Sequence, residues 1–426
     1  MIWLFASLII SHQLLLFLIQ KRFDPFNVAT LIDIVLFVMW VYAPLVDDSL
    51  HSILEEDWEF ALITFLGIIF LYIGLHIPTL GRRQLISPGQ SNTPIYTRRW
   101  LWLALIVFVI STLLLTWQRI QYAGGSIWEY FIGGRISIYA RILNEINKGS
   151  VFSGIISFTR PIILLWLGIS LEEKRWKHAM FLYCILLIGI LMIANTRGQI
   201  IITLLLPLFY FYYSRFRNRR SPFGVFTLTA LAAVAILFWL YVLNLWRIKG
   251  LEAFYSVYLS PRGVLNSLQV NFKPMYGYYM LWQHRDNLSL EYGLSYLYVL
   301  VTMVPRALWP DKPLVSHEAR WTTYFFGQHF ATGTEESGVW TFTVWGEGLT
   351  QFGIPGVFLN LFLYGYIVNW ASNRFGKTPQ FSIVWFYYSI FAATYLRSSF
   401  SSLAWDFITL LPMIYVYKLS TCQRVT

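Results

Sequence analysis

Long runs of apolar residues, separated by short polar stretches, recur along the whole chain. Each run covers roughly 15–22 residues, close to the length that a helix needs to cross the hydrocarbon core of a bilayer. Backbone amides have no other partner inside lipid, so every run is predicted to be helical. The pattern predicts eleven spans: 2–19, 29–46, 60–79, 100–117, 151–171, 180–194, 199–213, 225–245, 354–370, 381–396 and 403–417.

Composition agrees with a membrane protein. Hydrophobic residues make up 57% of the chain, charged residues only 12%, and the mean hydropathy is +0.55. A water-soluble domain cannot bury this much apolar surface, so lipid must be one of the solvents. We therefore expect an all-α polytopic integral membrane protein with about eleven transmembrane helices and a large extracytoplasmic loop. Cys184 and Cys422 offer no disulfide framework.

Basic residues are concentrated in alternate loops, and such loops face the cytoplasm. The loop 47–59 lies on the other side and contains no Lys or Arg. This predicts an outer N-terminus, a cytoplasmic C-terminus and two extracytoplasmic segments, 119–150 and 246–350. The basic loops carry Lys21, Arg22, Arg82, Arg83, Arg98, Arg99, Lys174, Arg175, Lys177, Arg215, Arg217, Arg219, Arg220, Arg374, Lys377, Lys418 and Arg424.

The distribution of basic residues also explains the net charge of the chain and the nature of its first apolar run. Loop charges account for the net charge of +11 without nucleic acid as a partner. Positive charges follow the first apolar run and no cleavage site does, so that run is predicted to be a retained span. One integrated membrane domain is expected: helices 1–8 in 1–245, the loop 246–350, and helices 9–11 in 351–426.

Three arginines lie within or at the outer ends of predicted spans. Arg160 lies about half-way along its span, Arg197 at a tight outer turn, and Arg397 near the outer end of another span. A charge inside lipid is costly unless it faces a cavity or a partner, so each arginine is a functional candidate. Converging guanidinium groups would suit a pyrophosphate. The alternative is that they extend to headgroups or pair with a carboxylate such as Asp406.

Further candidates lie in the long outer segment. Three prolines in 304–313 predict a rigid element that presents Arg306 and Lys312, with a structural turn as the alternative. Just beyond it, His317 is suited to proton transfer at neutral pH and would share a helix face with Arg320. A solvated loop histidine is the alternative there, and His284 is a weaker rival.

Carboxylates supply the remaining candidates. Glu318 follows His317, and Glu347 lies between two glycines just before a span, where it could approach a ligand or a backbone. Metal binding is not predicted at His317, because no second His or Cys lies at ligand spacing. The loop acids resemble the base and metal ligands of many membrane sugar transferases, although a solvated acidic loop explains them too. These acids are Asp47, Asp48, Glu56 and Asp57.

Several of these motifs together resemble the Wzy-type oligosaccharide repeat-unit polymerases, which include O-antigen and enterobacterial common antigen polymerases. The resemblance rests on Thr196-Arg197-Gly198 at an outer hairpin, on the Pro-Arg-Ala-Leu-Trp-Pro-Asp-Lys-Pro stretch, and on Glu347 followed by 351–356 leading into a span. The stretch 251–255, some fifty residues before the proline-rich run, is similar to the common-antigen branch.

The resemblance implies a GT-C-like fold, similar to that of O-antigen ligases, in the bacterial inner membrane. It implies a metal-independent, inverting glycosyltransferase without a cofactor. A glycan would pass from one undecaprenyl pyrophosphate carrier to a repeat unit on another at the outer face, and a chain-length regulator would be a partner. By position, Arg197, Arg397 and Lys312 match basic residues of the family.

The chemistry then assigns expected roles. Pyrophosphate would be bound by Arg160, Arg197, Arg397, Arg306, Lys312 and Arg320. The acceptor proton would be taken by His317, Glu318 or Glu347. Sugar rings would stack on Trp309, Trp321, Tyr324 and Trp340.

Two other functions remain open from the sequence. A ligase would use the same donor with a different acceptor, and the proline-rich stretch favours a polymerase over it. A flippase or exporter of lipid-linked glycan would show short loops and internal repeats. The long outer segment and the lack of repeats in the sequence favour an enzyme.

Overall fold

This computed structural model describes residues 1–20, 24, 26–78, 99–122, 151–193, 197–215, 274–302, 304, 309, 316–327, 341–376 and 379–421. These residues form α-helices and short helical turns, and none of them is in a β-strand. The helices are α1 (Ile2–Gln20), α2 (Val28–Phe37), α3 (Ala43–Val46), α4 (Asp48–Glu56), α5 (Trp58–His76), α6 (Arg99–Tyr122), α7 (Val151–Glu172), α8 (Trp176–Ile193), α9 (Arg197–Arg215), α10 (Pro274–Gln283), α11 (Leu294–Thr302), α12 (His317–Phe326), α13 (Thr343–Phe375), α14 (Ser382–Thr394), α15 (Phe400–Thr409) and α16 (Leu411–Thr421).

Seven stretches in the described ranges are long and apolar enough to cross a membrane, which confirms a polytopic all-α protein. They are Ile2–Gln20, Val28–Val46, Trp58–His76, Arg99–Gln121, Val151–Glu172, Thr343–Phe375 and Phe400–Leu419. The expected count of eleven is not confirmed. The helices α8 and α9 are shorter apolar helices, and α14 has 13 residues. The predicted span 225–245 lies outside the described residues.

The described helices run back and forth between two ends of one bundle. At one end, the Asn369 side chain donates to the Ile77 carbonyl (2.8 Å) and the Tyr212 hydroxyl donates to Asp24 (3.1 Å). At the opposite end, the Tyr276 hydroxyl donates to Asp47 (3.1 Å). We call the first the basic end, because Lys174, Arg175 and Arg374 lie there. The second is the loop end, formed by 47–59 with α10, α11 and α12.

Glycines allow α5 and α13 to pack with their backbones in contact. A Cβ atom added at Gly74 would lie 2.2 Å from the Phe362 carbonyl oxygen, and one at Gly365 would lie 2.3 Å from the Leu71 carbonyl oxygen. Small residues at such contacts are typical of helix pairs in membranes, where close van der Waals packing replaces the hydrophobic effect. This contact fixes α13, the helix that carries Glu347, against the bundle.

We expect Gly74→Ala to destabilise the protein by about 1–3 kcal/mol, because the added methyl group meets backbone atoms that cannot rotate away. Thermal unfolding of the purified protein in detergent measures the effect. The matched control is Gly154→Ala, where an added Cβ has no neighbour within 4 Å. Equal unfolding temperatures for the Gly74 and Gly154 variants would contradict the close packing of α5 on α13.

The helix α13 is kinked where its sequence contains glycine and proline. Phe352 and Gly353 leave helical geometry, and Gly353 has a φ of +69°, which favours glycine. Pro355 supplies no amide to the helix. Two helical segments therefore meet at this kink: the later one starts at residue 354, where the sequence predicts the start of a span, and Glu347 lies in the shorter segment before it.

The long segment docks on the bundle. Tyr278 and Trp282 of α10 are fully buried against an aromatic core that includes Trp40, Phe60 and Trp345. The helix α11 of the same segment packs against α13 and α15. The membrane helices and the long segment thus share one core at the loop end.

Candidate active site at the loop end

The helix α12 begins at His317 because Ser316 caps its first turn. The Ser316 hydroxyl accepts a hydrogen bond from the Ala319 amide (3.2 Å) and donates one to the Glu318 carboxylate (2.7 Å). A side-chain oxygen at a helix start satisfies an otherwise unpaired amide, and a carboxylate in the first turn is stabilised by the helix dipole. The cap therefore fixes both His317 and Glu318.

Glu318 connects the long segment to the membrane helices. Its carboxylate accepts a hydrogen bond from the Ser398 hydroxyl (2.5 Å), and the side chain is nearly buried, at 8% exposed. Burial raises the pKa of Glu318, but the neighbouring His317 and the hydroxyls of Ser398 and Ser316 outweigh it, so the net pKa is below the ordinary value. Glu318 is therefore ionised at neutral pH.

His317 is fully buried beside Glu318, so it is not a solvated loop histidine. Neither ring nitrogen has a hydrogen-bond partner among the described residues. Burial lowers the pKa of His317 to about 4, although the nearby Glu318 and Glu291 oppose this shift. The imidazole is therefore neutral at pH 7, and one ring nitrogen can accept a proton only weakly.

The two glycines beside Glu347 allow its carboxylate to approach either a ligand or a backbone, and in this structure it contacts a backbone. Its carboxylate accepts hydrogen bonds from the amides of Phe400 (2.5 Å) and Ser401 (3.3 Å) and from the Ser401 hydroxyl. These amides belong to the first turn of α15, where a carboxylate is favourable. Glu347 thus holds the start of α15 in place, and a further role as proton acceptor stays a prediction.

Arg397 lies in the break between α14 and α15. The helix α14 ends in a 3-10 turn, Tyr395–Arg397, and α15 starts after Ser399, whose hydroxyl accepts from the Ser402 amide (3.3 Å). Arg397 is half-buried and directly precedes Ser398, the serine that binds Glu318. Arg397 thus lies in the chain at the same break whose residues Ser398, Phe400 and Ser401 bind the carboxylates of Glu318 and Glu347.

Arg160 lies deeper, on α7. Its guanidinium donates to the Tyr387 hydroxyl (3.4 Å) rather than to the carbonyl that Pro161 frees. Asp406 is near enough to interact with its charge, but no direct ion pair joins the two within the described residues. The buried Nε of Arg160 has no hydrogen-bond partner there either. Arg160 thus keeps an unused donor in a region where unpaired donors are costly.

Arg320 is held in a nearly buried ion pair. Its guanidinium donates to Glu291 (2.6 Å) and to the Ser295 hydroxyl (2.6 Å), and the two charged side chains are 16% and 14% exposed. The Gln351 amide also donates to Ser295 (2.8 Å) and to Glu291. This network joins α11, α12 and α13. Because its charge is balanced, Arg320 has less to offer an anion, and its pyrophosphate role stays a prediction.

We expect Arg320→Gln to destabilise the protein by about 3–5 kcal/mol, because it leaves the Glu291 carboxylate buried without a counter-charge. The control is Arg285→Gln at the Arg285–Glu59 pair (3.1 Å), whose side chains are 28% and 46% exposed. An exposed pair contributes about 1 kcal/mol or less. Thermal unfolding distinguishes the two variants, and equal losses would show that the Arg320 pair is not a buried support of α12.

The predicted sugar-stacking residues divide into exposed and buried rings. Trp309 and Tyr324 are exposed, whereas Trp321 is buried and packs edge-on against Tyr324, with 5.2 Å between the ring centroids. The indole nitrogen of Trp321 has no hydrogen-bond partner among the described residues. Stacking on sugars stays a prediction for these rings.

Four predicted site residues are only partly or not at all within the described residues. Arg197 is the first residue of α9, but its side chain is not described. Arg306, Lys312 and Trp340 lie outside the described residues.

The acidic loop 47–59 is part of the fold. Asp47 caps α4, and Asp57 caps α5 by accepting from the Phe60 amide (2.9 Å) while it accepts from the Trp282 indole (3.0 Å). Asp48, Glu55 and Glu56 are exposed as a solvated loop would be. In the described part of the chain, no group of three or more His, Cys, Asp or Glu could hold a metal ion. The loop acids thus act as helix caps and as a docking surface for α10.

The residues that support the site were not predicted from the sequence. Glu291, Ser295 and Gln351 hold α12, and Ser398 and Ser401 bind the two glutamates. The serines could have been noticed as the run 398–402 beside an intramembrane arginine. Glu291 carries no signal, because its partner is distant in the sequence.

Comparisons with models of protein families, with curated proteins and with solved structures find no match. In its described part, the chain is a polytopic, all-helical membrane protein with seven candidate spans.

Proposed function

We propose that this chain is a membrane glycosyltransferase that joins oligosaccharide repeat units carried on undecaprenyl pyrophosphate. The observation that carries the proposal is the binding of Glu318 to Ser398, the residue next to Arg397, at the break between α14 and α15, with Glu347 fixing that break. A partly buried base and a guanidinium at the membrane surface suit transfer from a lipid-linked phosphate. The resemblance to Wzy-type polymerases supplies the substrate class.

Arg397 and Arg160 are suited to the leaving group. The oxygen of an acceptor hydroxyl attacks the anomeric carbon of the donor, and the bond from that carbon to the phosphate oxygen breaks. Negative charge then grows on the departing undecaprenyl pyrophosphate. Permanently charged donors fixed beforehand in a water-poor site stabilise such charge strongly. The unpartnered Nε of Arg160 provides one such donor.

Glu318 is the best supported proton acceptor. It is ionised, it lies at the edge of the break, and among the described side chains its oxygens bind the hydroxyls of Ser316 and Ser398. His317 is fully buried, and the Glu347 oxygens are taken up by α15. The acceptor proton therefore passes to Glu318, and a single displacement gives inversion at the anomeric carbon.

The distribution of charged residues between the two ends of the bundle supports the location of the reaction. The glutamates and Arg397 lie at the loop end, and the described parts of the basic loops lie at the other end. If the basic end faces the cytoplasm, the site opens to the periplasmic face of the bacterial inner membrane. Exposed Trp309 and Tyr324 are then available to stack on the glycan.

The test is incubation of the purified full-length protein with chemically defined lipid-linked repeat units in the presence of EDTA. A ladder of glycans that differ by one repeat supports a metal-independent polymerase. Transfer of a glycan to lipid A or protein without a ladder would instead make the chain a ligase. Movement of the lipid-linked glycan across a vesicle membrane without new glycosidic bonds would make it a flippase, and either result would overturn the proposal.

A further inference from the structure

A second buried polar cluster lies toward the basic end of the bundle, away from the proposed active site. His12 and Gln13 of α1, Asp33 of α2, and Tyr72 and His76 of α5 form it. His12 and Asp33 are almost fully buried, at 5% and 2% exposed. Ionisable groups inside membrane spans are costly and commonly mark the path of a proton, an ion or a substrate. Glycan transfer makes no use of these groups.

The ionisable side chains form one hydrogen-bonded chain. The Nε2 atoms of His76 and His12 lie 2.9 Å apart, and Nδ1 of His12 lies 2.6 Å from Oδ2 of Asp33. The Tyr72 hydroxyl donates to Oδ1 of Asp33 (2.7 Å), and the Gln13 amide donates to Oδ2. The His12 ring also stacks on Tyr72, with 3.8 Å between centroids. His76 is the exposed member of the chain and Asp33 its buried end.

We propose that this cluster is a proton-binding site, which a proton enters at His76 and in which it is stored on Asp33. With Asp33 ionised, Nε2–H of His76 donates to His12, and Nδ1–H of His12 donates to Asp33. An acid in solution then gives a proton to Nδ1 of His76, the Nε2 proton of His76 passes to His12, and the Nδ1 proton of His12 passes to Oδ2 of Asp33. Both imidazoles end neutral, each in its other tautomer, and Asp33 ends as a carboxylic acid.

The geometry favours this exchange because both states keep the same hydrogen bonds. Each bond along the chain only reverses its direction, and Tyr72 and Gln13 donate to Asp33 in either state. No polar group is left unpaired in lipid, so the large cost of an unmade buried hydrogen bond does not arise. The stored proton removes the negative charge of a carboxylate that is buried between α1, α2 and α5.

Other charged groups near the cluster are few. On the described elements packed against α2 and α5, they are Tyr366 and Arg374 of α13 and Tyr387 and Tyr388 of α14; Asp24, which accepts from Tyr212, lies just before α2. Arg374 lies over the Trp370 ring (5.5 Å), Tyr387 accepts from Arg160, and Tyr388 is hydrogen-bonded to Thr409. None of these α13 and α14 residues has a hydrogen bond to the cluster in the described structure. A metal ion does not fit between the imidazoles, because it would need about 2 Å to each nitrogen and hence a wider separation.

Proton uptake by the purified protein in lipid tests this proposal without turnover. As the pH is lowered, infrared difference spectra of the wild type are expected to gain the stretching band of a buried carboxylic acid. Asp33→Asn is expected to lose that band and to bind one proton fewer per chain. Asparagine keeps an amide donor and a carbonyl acceptor for Tyr72 and His12. Asp48→Asn, at an exposed carboxylate, is the control and should keep the band.

His76→Gln provides a second readout at an exposed residue that should not be needed for folding. It is expected to slow proton uptake by Asp33 about tenfold, the effect of one lost hydrogen bond in the path. A wild type without an Asp33-dependent band would overturn the proposal, since the cluster would then be a permanent ion pair. If Asp33→Asn does not fold, uptake at the wild-type rate in His76→Gln would overturn it as well.

Discussion

Replacing Glu318 with glutamine is expected to slow glycan transfer at least about 100-fold, the usual contribution of a general base. Glutamine is isosteric and keeps an oxygen that can accept from Ser398, so the start of α12 should stay in place. Its amide nitrogen can donate to the Ser316 hydroxyl in place of the bond that this hydroxyl donates in the wild type, so the variant chiefly loses the ability to take the acceptor proton. Turnover of lipid-linked repeat units by the purified variant measures the effect.

The pH profile adds a readout that a structural role would not change. Because the net pKa of Glu318 lies below the ordinary value, its carboxylate stays ionised as the pH falls through the range where glutamate normally titrates. Wild-type activity should therefore decline only below that range. Glu59→Gln, at a half-buried glutamate of the same end, is the control and should keep wild-type turnover. Equal turnover in Glu318→Gln and Glu59→Gln would show that Glu318 does not take the acceptor proton.

Replacing Arg397 with alanine is expected to lower kcat about 100- to 1,000-fold, as the loss of a preorganised charge-stabilising donor does in other enzymes. The loss should appear in kcat more than in KM, because charge on the pyrophosphate grows toward the transition state. Arg397→Lys should restore part of the rate, since lysine keeps the charge but loses the planar, bidentate donor.

The matched control is Arg285→Ala, at another arginine of the loop end, which pairs with Glu59 and lies over the Trp282 ring (4.2 Å). It should leave kcat near the wild-type value. If Arg285→Ala and Arg397→Ala lose the same activity, a general charge effect at the surface is the better explanation. Unchanged kcat in Arg397→Ala would refute the assigned role.

The membrane helices could be predicted from the sequence because the backbone of a single apolar run can satisfy its own hydrogen bonds in lipid only as a helix. A run such as 2–19 has only helix available in a bilayer, and the observed helix is Ile2–Gln20. Span ends were less certain wherever the helix continues into protein. The span start predicted at residue 354 matches the point where α13 becomes helical again after its kink, whereas the buried helical segment 343–351 before the kink was not predicted.

The candidate site was predictable in its residues but not in its partners. Arg160 and Arg397 were visible because charge is rare in apolar runs. The Glu291–Arg320 and Glu347–Ser401 contacts join residues 29 and 54 positions apart, and no local pattern pairs them. By contrast, His12 and Asp33 carried the same intramembrane signal as Arg160 and were overlooked; only the fold shows that they meet.

The position of α12 ties the long segment to the proposed chemistry. Glu318 reaches the membrane helices only because Ser316 caps α12 and because the Arg320 network holds that helix on α11 and α13. Loss of this support should move Glu318 away from Ser398. The segment is therefore a part of the site as proposed.

The central claim is that glycosidic bonds form here at the expense of the bond to the lipid carrier. The most direct measurement is the molar ratio of undecaprenyl pyrophosphate released to glycosidic bonds formed by the purified wild type, with Glu318→Gln beside it. We expect one carrier released for each bond, with both quantities reduced together in the variant. Lipid-linked glycan that neither releases its carrier nor gains a bond, in a preparation of folded protein, would contradict the account.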